Sequence, residues 1–250
     1  YKRQNEEGWY KKALDTDLAR PKFAIMNPEI TYTLPDYQTQ CGCADIMMHT
    51  MERYFVLEDT MEITDKIAQD VMKNVMKYAK ILKKDPENYE ARAEIMWCGS
   101  LSHNGLTGCG TCGGDWATHL IEHELGGMFD VAHGAGLAAV WGSWARYVMD
   151  EKPERFAQFA VDVMGVEESD DVKSTALKGI EAVEEFYRMI EMPTNMKELG
   201  INPTDEQIKD MAMKATNHDT QQLGAFKKLS AKDLVCLLYT SPSPRDKRQS

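Results

Sequence analysis

Long amphipathic segments dominate this chain of 250 residues and restrict what it can fold into. Residues 59–84 repeat Ile, Val and Met at a spacing near 3.6, which predicts a long helix that the following Asp-Pro-Glu-Asn ends. The pattern recurs over residues 87–103 and in further segments up to residue 235. Each such helix must bury an apolar stripe, so we expect a mainly α, antiparallel helical-bundle domain of about eight or nine helices.

The two ends of the chain depart from this helical pattern. Residues 1–34 hold a short apolar run followed by alternation, with prolines between, which predicts one or two strands with turns. The all-helical domain is expected over residues 35–235. The last segment, 236–250, contains Ser-Pro-Ser-Pro, which cannot be helical, and it loses the amphipathic pattern. We therefore expect residues 236–250 to be a non-native or disordered tail.

Charge and composition exclude several classes of partner. The chain has 29 Lys and Arg against 40 Asp and Glu, a net charge of −11, which argues against binding to nucleic acid or to an anionic membrane. No apolar run reaches the ~18 residues that a membrane-spanning helix needs. The charged opening residues do not form a signal peptide, so we expect a cytoplasmic protein with reduced thiols.

Histidines and one aspartate form the most informative cluster of polar residues. Asp45 and His49 are four residues apart on a predicted helix, which places their side chains next to each other. His119 and His123 repeat this spacing on a second helix, and His133 follows a Gly-Gly pair at the start of a third. A carboxylate and several imidazoles that converge in this way suit a divalent first-row metal ion. Spacing alone leaves open a buried hydrogen-bonded Asp–His pair, and it does not decide which three histidines would be ligands.

Other patterns in the same region are weaker. His123-Glu124 lacks the second histidine of the HExxH protease motif, which excludes a zinc protease of that type. The Gly-rich loop over residues 104–115 lacks the Gly-Lys-Ser/Thr ending of a phosphate-binding loop. His103 stands at the edge of this loop and is interpreted as an ordinary loop histidine. Two close cysteine pairs suggest a structural zinc site, but the CxC spacing of Cys41 and Cys43, at a helix start, is atypical for one. We therefore expect packed or loop thiols at Cys41, Cys43, Cys109 and Cys112.

Three segments carry a resemblance to a known family. They are PKFAIMNPEITYTLPDYQTQCGCADIMMHTMERYF, SHNGLTGCG and DWATHLIEHELGGMFDVAHGAGLAAVW. Across roughly residues 20–235 the chain resembles the iron-containing (group III) alcohol dehydrogenases, in particular their NAD(P)H-dependent butanol dehydrogenase branch. The third segment resembles the His-rich signature of the family. The resemblance covers the helical C-terminal domain of an enzyme that also has an α/β domain.

The resemblance implies a role for each candidate residue. The metal ligands of the family fall on Asp45, His49, His119 and His133, which would hold Fe²⁺ or Zn²⁺. His123 falls on a histidine that does not bind the metal and lies near the nicotinamide and the substrate, which implies a catalytic and cofactor-binding role. The implied reaction is hydride transfer between a small alcohol or aldehyde and the NAD(P) cofactor. The resemblance leaves a homodimer possible.

The N-terminal part of the chain departs from the family pattern. Family members begin with a Rossmann-like domain that holds the cofactor with a Gly-rich loop, and no such strand–loop–helix unit precedes Asp45. We therefore interpret residues 1–34 as the remnant of a truncated nucleotide-binding domain and expect this fragment alone to be inactive. The alternative is an isolated helical metal-binding or interaction domain without activity of its own. The sequence does not decide between Fe and Zn, between NAD and NADP, or among alcohols.

Overall fold

Nine α-helices and one short β-hairpin make up the part of the chain that the computed structural model describes, which is residues 3–5, 8, 10–12, 16–59 and 61–240. Strands β1 (Arg3–Asn5) and β2 (Tyr10–Lys12) pair antiparallel. The helices are α1 (Asp36–Tyr54), α2 (Glu62–Leu82), α3 (Tyr89–His103), α4 (Ala117–Phe129), α5 (His133–Val148), α6 (Pro153–Asp162), α7 (Val172–Met189), α8 (Asp205–Ala215) and α9 (Ala231–Thr240). The predicted mainly α class with a short β segment is confirmed. Within these described ranges, no helix is both long enough and apolar enough to cross a membrane.

The strand prediction for residues 1–34 is placed wrongly: the two strands lie at Arg3–Asn5 and Tyr10–Lys12, and the apolar run and alternation over residues 21–34 form none. Pro28–Thr31 form a short 3-10 helix instead, and the side chain of Asn27 caps it by accepting a hydrogen bond from the Glu29 N–H at 3.1 Å. Phe23 and Ile25 are 79% and 84% exposed. Proline lacks the N–H that a ladder needs, and the only strands of the described residues pair with each other, so the alternating pattern here finds no partner.

Helix α1 lies at the centre of the helical domain. It packs against α2, α3 and α5, and its methionines Met47, Met48 and Met51 are fully buried. Just after it, the ring of Phe55 stacks on Phe156 with centroids 4.3 Å apart. The aromatic residues Trp141 and Trp144 of α5 contact the same cluster and are 1% exposed, which makes them core residues. The residues that α1 carries are therefore held in a rigid, close-packed setting.

A glycine pair is expected to end a helix, but α4 does not end at Gly126-Gly127. The helix continues through Phe129 and ends at Asp130, whose φ of 52° is left-handed. Gly126 is needed for a different reason, because a Cβ there would overlap the ammonium group of Lys11 and the carboxylate of Glu122. A glycine can therefore lie inside a helix where another side chain passes close to the helix backbone.

Helix α9 extends past the domain boundary predicted at residue 235. It includes the first five residues of the segment interpreted as a tail, and residues 241–250 of that segment lie outside the described residues. Leu234, Leu237 and Leu238 recur at helical spacing and are 0–1% exposed. The apolar pattern thus continues to Leu238, and burial of these leucines joins α9 to the core.

Replacing Leu237 with alanine tests whether this last turn belongs to the fold. We expect the free energy of unfolding to fall by about 2–5 kcal/mol, because the change leaves a cavity in the core. Cys236→Ala is the matched control on the exposed face of the same turn, with an expected change of about 0.5 kcal/mol or less. Urea denaturation measures both. Equal unfolding midpoints for the two variants would contradict the placement of α9.

The Asp115 side chain connects the start of α4 with the loop at Ala225 and Phe226 through hydrogen bonds. It directly precedes Trp116, the N-cap residue, and its Oδ1 accepts a hydrogen bond from the Ala117 N–H at 3.1 Å. Its Oδ2 accepts hydrogen bonds from the N–H groups of Ala225 and Phe226, both at 2.7 Å. The side chain is 5% exposed. Burial, together with the negative charge of Glu52, raises the pKa of Asp115 to about 6.

This raised pKa gives the stability a defined pH dependence. Between the unfolded pKa of 3.8 and about 6, the folded protein holds a proton that the unfolded chain has lost. The contribution of Asp115 to stability is therefore present below the lower value and is lost as pH rises through the higher one. We expect the free energy of unfolding of the parent, relative to Asp115→Asn, to fall by on the order of 2 kcal/mol from pH 4.5 to pH 7. Urea titrations at both pH values measure this, and parallel pH profiles would contradict it.

Candidate metal centre

Four predicted ligands meet where α1, α4 and α5 come together. Asp45 and His49 lie one turn apart on α1, His119 lies in the first turn of α4, and His133 is the first residue of α5. The Nε2 atoms of His49, His119 and His133 lie 3.7, 3.8 and 3.4 Å from Asp45 Oδ1. Ligand atoms that share one tetrahedral ion at ~2.0–2.2 Å are ~3.3–3.6 Å apart. The observed separations are thus close to those of a shared ion.

Two neighbouring groups of candidate ligands occur in the described part of the chain. Asp45, His49 and His119 each offer an atom within 4.8 Å of the others. Glu122, His123 and His133 form a second group by the same measure. His133 therefore lies between the groups, with Nε2 towards Asp45 and Nδ1 towards Glu122. His123 lies in the second group and is not gathered around Asp45.

Two buried glutamates orient the imidazoles. Nδ1 of His119 donates to Glu52 Oε1 at 3.0 Å, and Nδ1 of His133 donates to Glu122 Oε2. Glu52 and Glu122 are 2% and 0% exposed. A proton held on Nδ1 leaves the Nε2 lone pair free to bind a cation, which is how carboxylates orient histidine ligands in metal sites. Sequence reasoning missed both glutamates, although Glu122 follows His119 by three residues on one helix.

The electrostatics of the cluster favour a cation at its centre. Asp45 Oδ1 and His119 Nε2 are buried atoms without a hydrogen-bond partner, and lone pairs that face one another repel. Burial opposes the charge of Asp45, but the surrounding imidazoles, His103 and His119 foremost, outweigh it and hold the pKa below its usual range. Burial lowers the pKa of His49 to about 2, so this ring is neutral, as a metal ligand must be. The donor set therefore fits a divalent ion.

Close backbone approach brings α5 to this site. A Cβ at position 134 would overlap the backbone carbonyl of Cys41 on α1, so only glycine lets the two helices meet here. This contact places the preceding residue, His133, beside Asp45. Gly136 similarly lies against Glu122, where a Cβ would be 2.8 Å from Cγ. The small residues of the His-Gly-Ala-Gly segment thus position a ligand and its supporting carboxylate.

Trp116 forms one wall of the cluster. Its ring centroid lies 5.4 Å from that of His49 and 5.2 Å from that of His119, and the guanidinium of Arg53 lies 4.6 Å from the ring centroid. The backbone of Trp116 is left-handed, with φ of 64°. Hydrogen bonds from its N–H to Glu52 Oε2 at 2.7 Å and from its Nε1 to Gly113 O at 2.8 Å hold it there. Glu52 therefore fixes both this wall and the ligand His119.

Three other sequence-derived candidates have different surroundings. His123 lies one turn after His119, with its ring centroid 5.7 Å from that of His133. His103, interpreted as a loop residue, ends α3, and its Nε2 lies 3.4 Å from Asp45 Oδ2. No spacing rule connects His103 with Asp45, because the two residues lie on different helices. Burial raises the pKa of Cys43 to about 12, so this thiol is neutral at pH 7.

The Gly-rich loop before α4 has the sequence Gly-Cys-Gly-Thr-Cys-Gly over residues 108–113, which matches the GxGxxG pattern. In a dinucleotide-binding fold that motif follows a strand. Here it follows α3 and a 3-10 helix, Leu106–Gly108, so the strand context is missing. Its cysteines, Cys109 and Cys112, are exposed. The loop instead positions α4, because the Asp115 N–H donates to the Glu52 carbonyl at 2.8 Å.

Relatives of known name align with most of this chain at about one third identity. NADH-dependent butanol dehydrogenase A of Clostridium acetobutylicum is 33% identical over 232 residues, which is 92% of this chain and 59% of that protein. The NADPH-dependent aldehyde reductase YqhD of Escherichia coli is 33% identical over 215 residues, which is 86% of this chain and 54% of that protein. The chain therefore spans somewhat over half the length of these curated relatives.

Solved structures share the fold. The crystal structure of NADH-dependent butanol dehydrogenase A from Thermotoga maritima superposes with a TM-score of 0.89 at 32% identity, over 96% of this chain and 61% of that one. Residues 39–241 match the sequence profile of the Fe-containing alcohol dehydrogenase family, C-terminal domain. The His-rich segment lies within this match, and so does the helical domain except for the first three residues of α1. The chain thus belongs to the Fe-containing alcohol dehydrogenase family, of which it carries the C-terminal helical domain.

Proposed function

We propose that this chain is the metal- and substrate-binding part of an NAD(P)-dependent alcohol dehydrogenase or aldehyde reductase. The observation that carries the proposal is the convergence of three imidazole Nε2 atoms on Asp45 Oδ1, at 3.4–3.8 Å. The matched relatives are named as butanol dehydrogenases and an aldehyde reductase, which supports a small alcohol or aldehyde as the substrate. Their names also support NADH or NADPH as the cofactor.

Asp45, His49, His119 and His133 would hold one Fe²⁺ or Zn²⁺ ion. When bound, the ion supplies Lewis acidity towards an alcohol or aldehyde oxygen. Three neutral imidazoles and one carboxylate leave a net charge of about +1 on such a site, which suits an anionic oxygen. The protein itself orients the ligand imidazoles and excludes water from one side of the site. The buried glutamates fix the imidazole tautomers, and Trp116 shields one side of the cluster.

His123 has the position of a second functional histidine. It lies beside His133 and is not gathered around Asp45, so we leave it out of the proposed ligand set. We assign it to the nicotinamide and substrate side of the site, where an imidazole nitrogen can hold or pass a proton. Hydride transfer itself belongs to the nicotinamide cofactor.

A second candidate function is a helical metal-binding domain without activity of its own. It is favoured by the observation that the described residues form a helical domain that already gathers two groups of candidate metal ligands. Both candidates require the metal centre. NAD(P)-dependent alcohol oxidation by this domain when it is joined to the nucleotide-binding domain of a relative separates them, because only the dehydrogenase requires it.

Metal analysis of three proteins tests the ligand assignment. We expect one divalent ion per parent chain, loss of stoichiometric metal in His119→Ala, and full metal in the matched control His123→Ala. Affinity should fall as pH falls, because the carboxylates of Asp45 and Glu52 outweigh burial and raise the pKa of His119, and the ion must displace that proton. Equilibrium dialysis with elemental analysis at two pH values measures these quantities. Metal retained in His119→Ala and lost in His123→Ala would reverse the assignment.

Activity measurements on the 250-residue chain test how much of the reaction it supports. We expect bound metal but negligible oxidation of butanol, because hydride transfer needs the nicotinamide held within ~3–3.5 Å of the reacting carbon. In dinucleotide-binding folds, a Gly-rich loop that joins a strand to a helix grips the pyrophosphate and secures this placement. Titration calorimetry with NADH and NADPH and an absorbance assay at 340 nm measure the two quantities. Micromolar binding together with turnover would contradict this expectation.

A further inference from the structure

His103 contacts the one oxygen of Asp45 that the other histidines leave free. Its Nε2 lies 3.4 Å from Asp45 Oδ2, whereas the Nε2 atoms of His49, His119 and His133 all approach Oδ1. The two carboxylate oxygens therefore have separate sets of partners. This division matters because a carboxylate that binds a metal through one oxygen needs a partner for the other oxygen.

Contacts at Nδ1 and on one face of the ring fix the orientation of the His103 side chain. Its Nδ1 lies 2.9 Å from the Gly99 carbonyl oxygen and 2.8 Å from Ser102 Oγ. One face lies against His49, with ring centroids 3.8 Å apart and an interplanar angle of 35°. The side chain is nevertheless 43% exposed, so it lies at the open edge of the cluster and contributes little to the core.

Two states of the ring place a proton on Nε2. In the Nε2–H tautomer, the Ser102 hydroxyl donates to Nδ1. In the imidazolium, Nδ1–H donates to the Gly99 carbonyl. In both states Nε2–H points towards Asp45 Oδ2, and the contact is attractive.

We infer that His103 is a positioning residue of the metal centre, which holds Asp45 Oδ2 so that Oδ1 is the oxygen presented to the ion. This inference rests on the metal centre proposed above. Without His103, Asp45 can rotate or present both oxygens to the ion, and the alignment with the three imidazoles is lost. Unlike Glu52 and Glu122, which support histidine ligands, His103 supports the carboxylate ligand.

Three variants of the 250-residue chain separate the Nε2–H contact from the bulk of the ring. His103→Phe keeps a ring on His49 but has no nitrogen. His103→Asn keeps a donor near Gly99 that is too short to reach Asp45. His103→Gln extends an amide N–H about as far as Nε2. The affinity for Zn²⁺ and Co²⁺ is measured by competition with a chelator of known affinity.

We expect affinity to fall about tenfold in His103→Phe and His103→Asn, and to stay within about threefold of the parent in His103→Gln, in line with the effect of partners behind metal ligands. Thermal unfolding of the metal-free proteins should be nearly equal, since the side chain is 43% exposed and lies at the edge of the cluster. The d–d absorption of bound Co²⁺ should keep the intensity of a four-ligand site in every variant.

Parent-like affinity in both His103→Phe and His103→Asn would overturn the inference. So would a loss of affinity that His103→Gln does not restore. A Co²⁺ spectrum that loses one ligand in His103→Phe would make His103 a ligand, which also overturns it. A parent chain that binds no metal would overturn the metal centre and this inference together. The first two results leave the metal centre intact, and the third adds a ligand to it.

Discussion

The site depends on how the lone pairs of the histidines are directed. Glu52 and Glu122 accept the Nδ1 protons of His119 and His133, and this forces both Nε2 lone pairs towards Asp45 Oδ1. Both glutamates are buried charged groups, and such groups are costly unless they are paired. The pairing therefore has to be maintained by the fold, and it leaves an arrangement of electron-rich atoms that a cation would stabilise.

Much of the surrounding structure maintains this arrangement. Helix α1 supplies Asp45, its neighbour His49 and Glu52, and its methionines anchor it in the core. The Gly-rich loop fixes the start of α4 through Glu52, and the glycine after His133 lets α5 approach α1. Lys11 of the N-terminal hairpin pairs with Glu122 at 3.0 Å, so the hairpin also contacts the layer behind the ligands. The site is thus a junction of three helices, each fixed by a different contact.

Periodicity predicted most helices and the mainly α class, because a buried stripe needs regular spacing whatever the helix packs against. Sequence patterns failed to predict where α4 and α9 end, because tertiary contacts decide how far these helices continue. Gly126 lies inside a helix because a charged pair passes over it, and α9 continues to Thr240 because its leucines reach the core. Spacing found the histidines but left His119 and His123 equivalent, and only the family resemblance separated them. The two supporting glutamates and His103 were missed, because their role depends on which helices meet and no local pattern records that.

Anomalous X-ray diffraction from crystals of the metal-loaded chain, collected at the absorption edge of iron or zinc, tests the central claim most directly. The account predicts one strong peak among Asp45 Oδ1 and the Nε2 atoms of His49, His119 and His133, at ~2.0–2.2 Å from each. Glu52 and Glu122 should stay on the Nδ1 atoms. A peak in the neighbouring group of Glu122, His123 and His133, with Asp45 unligated, would contradict it.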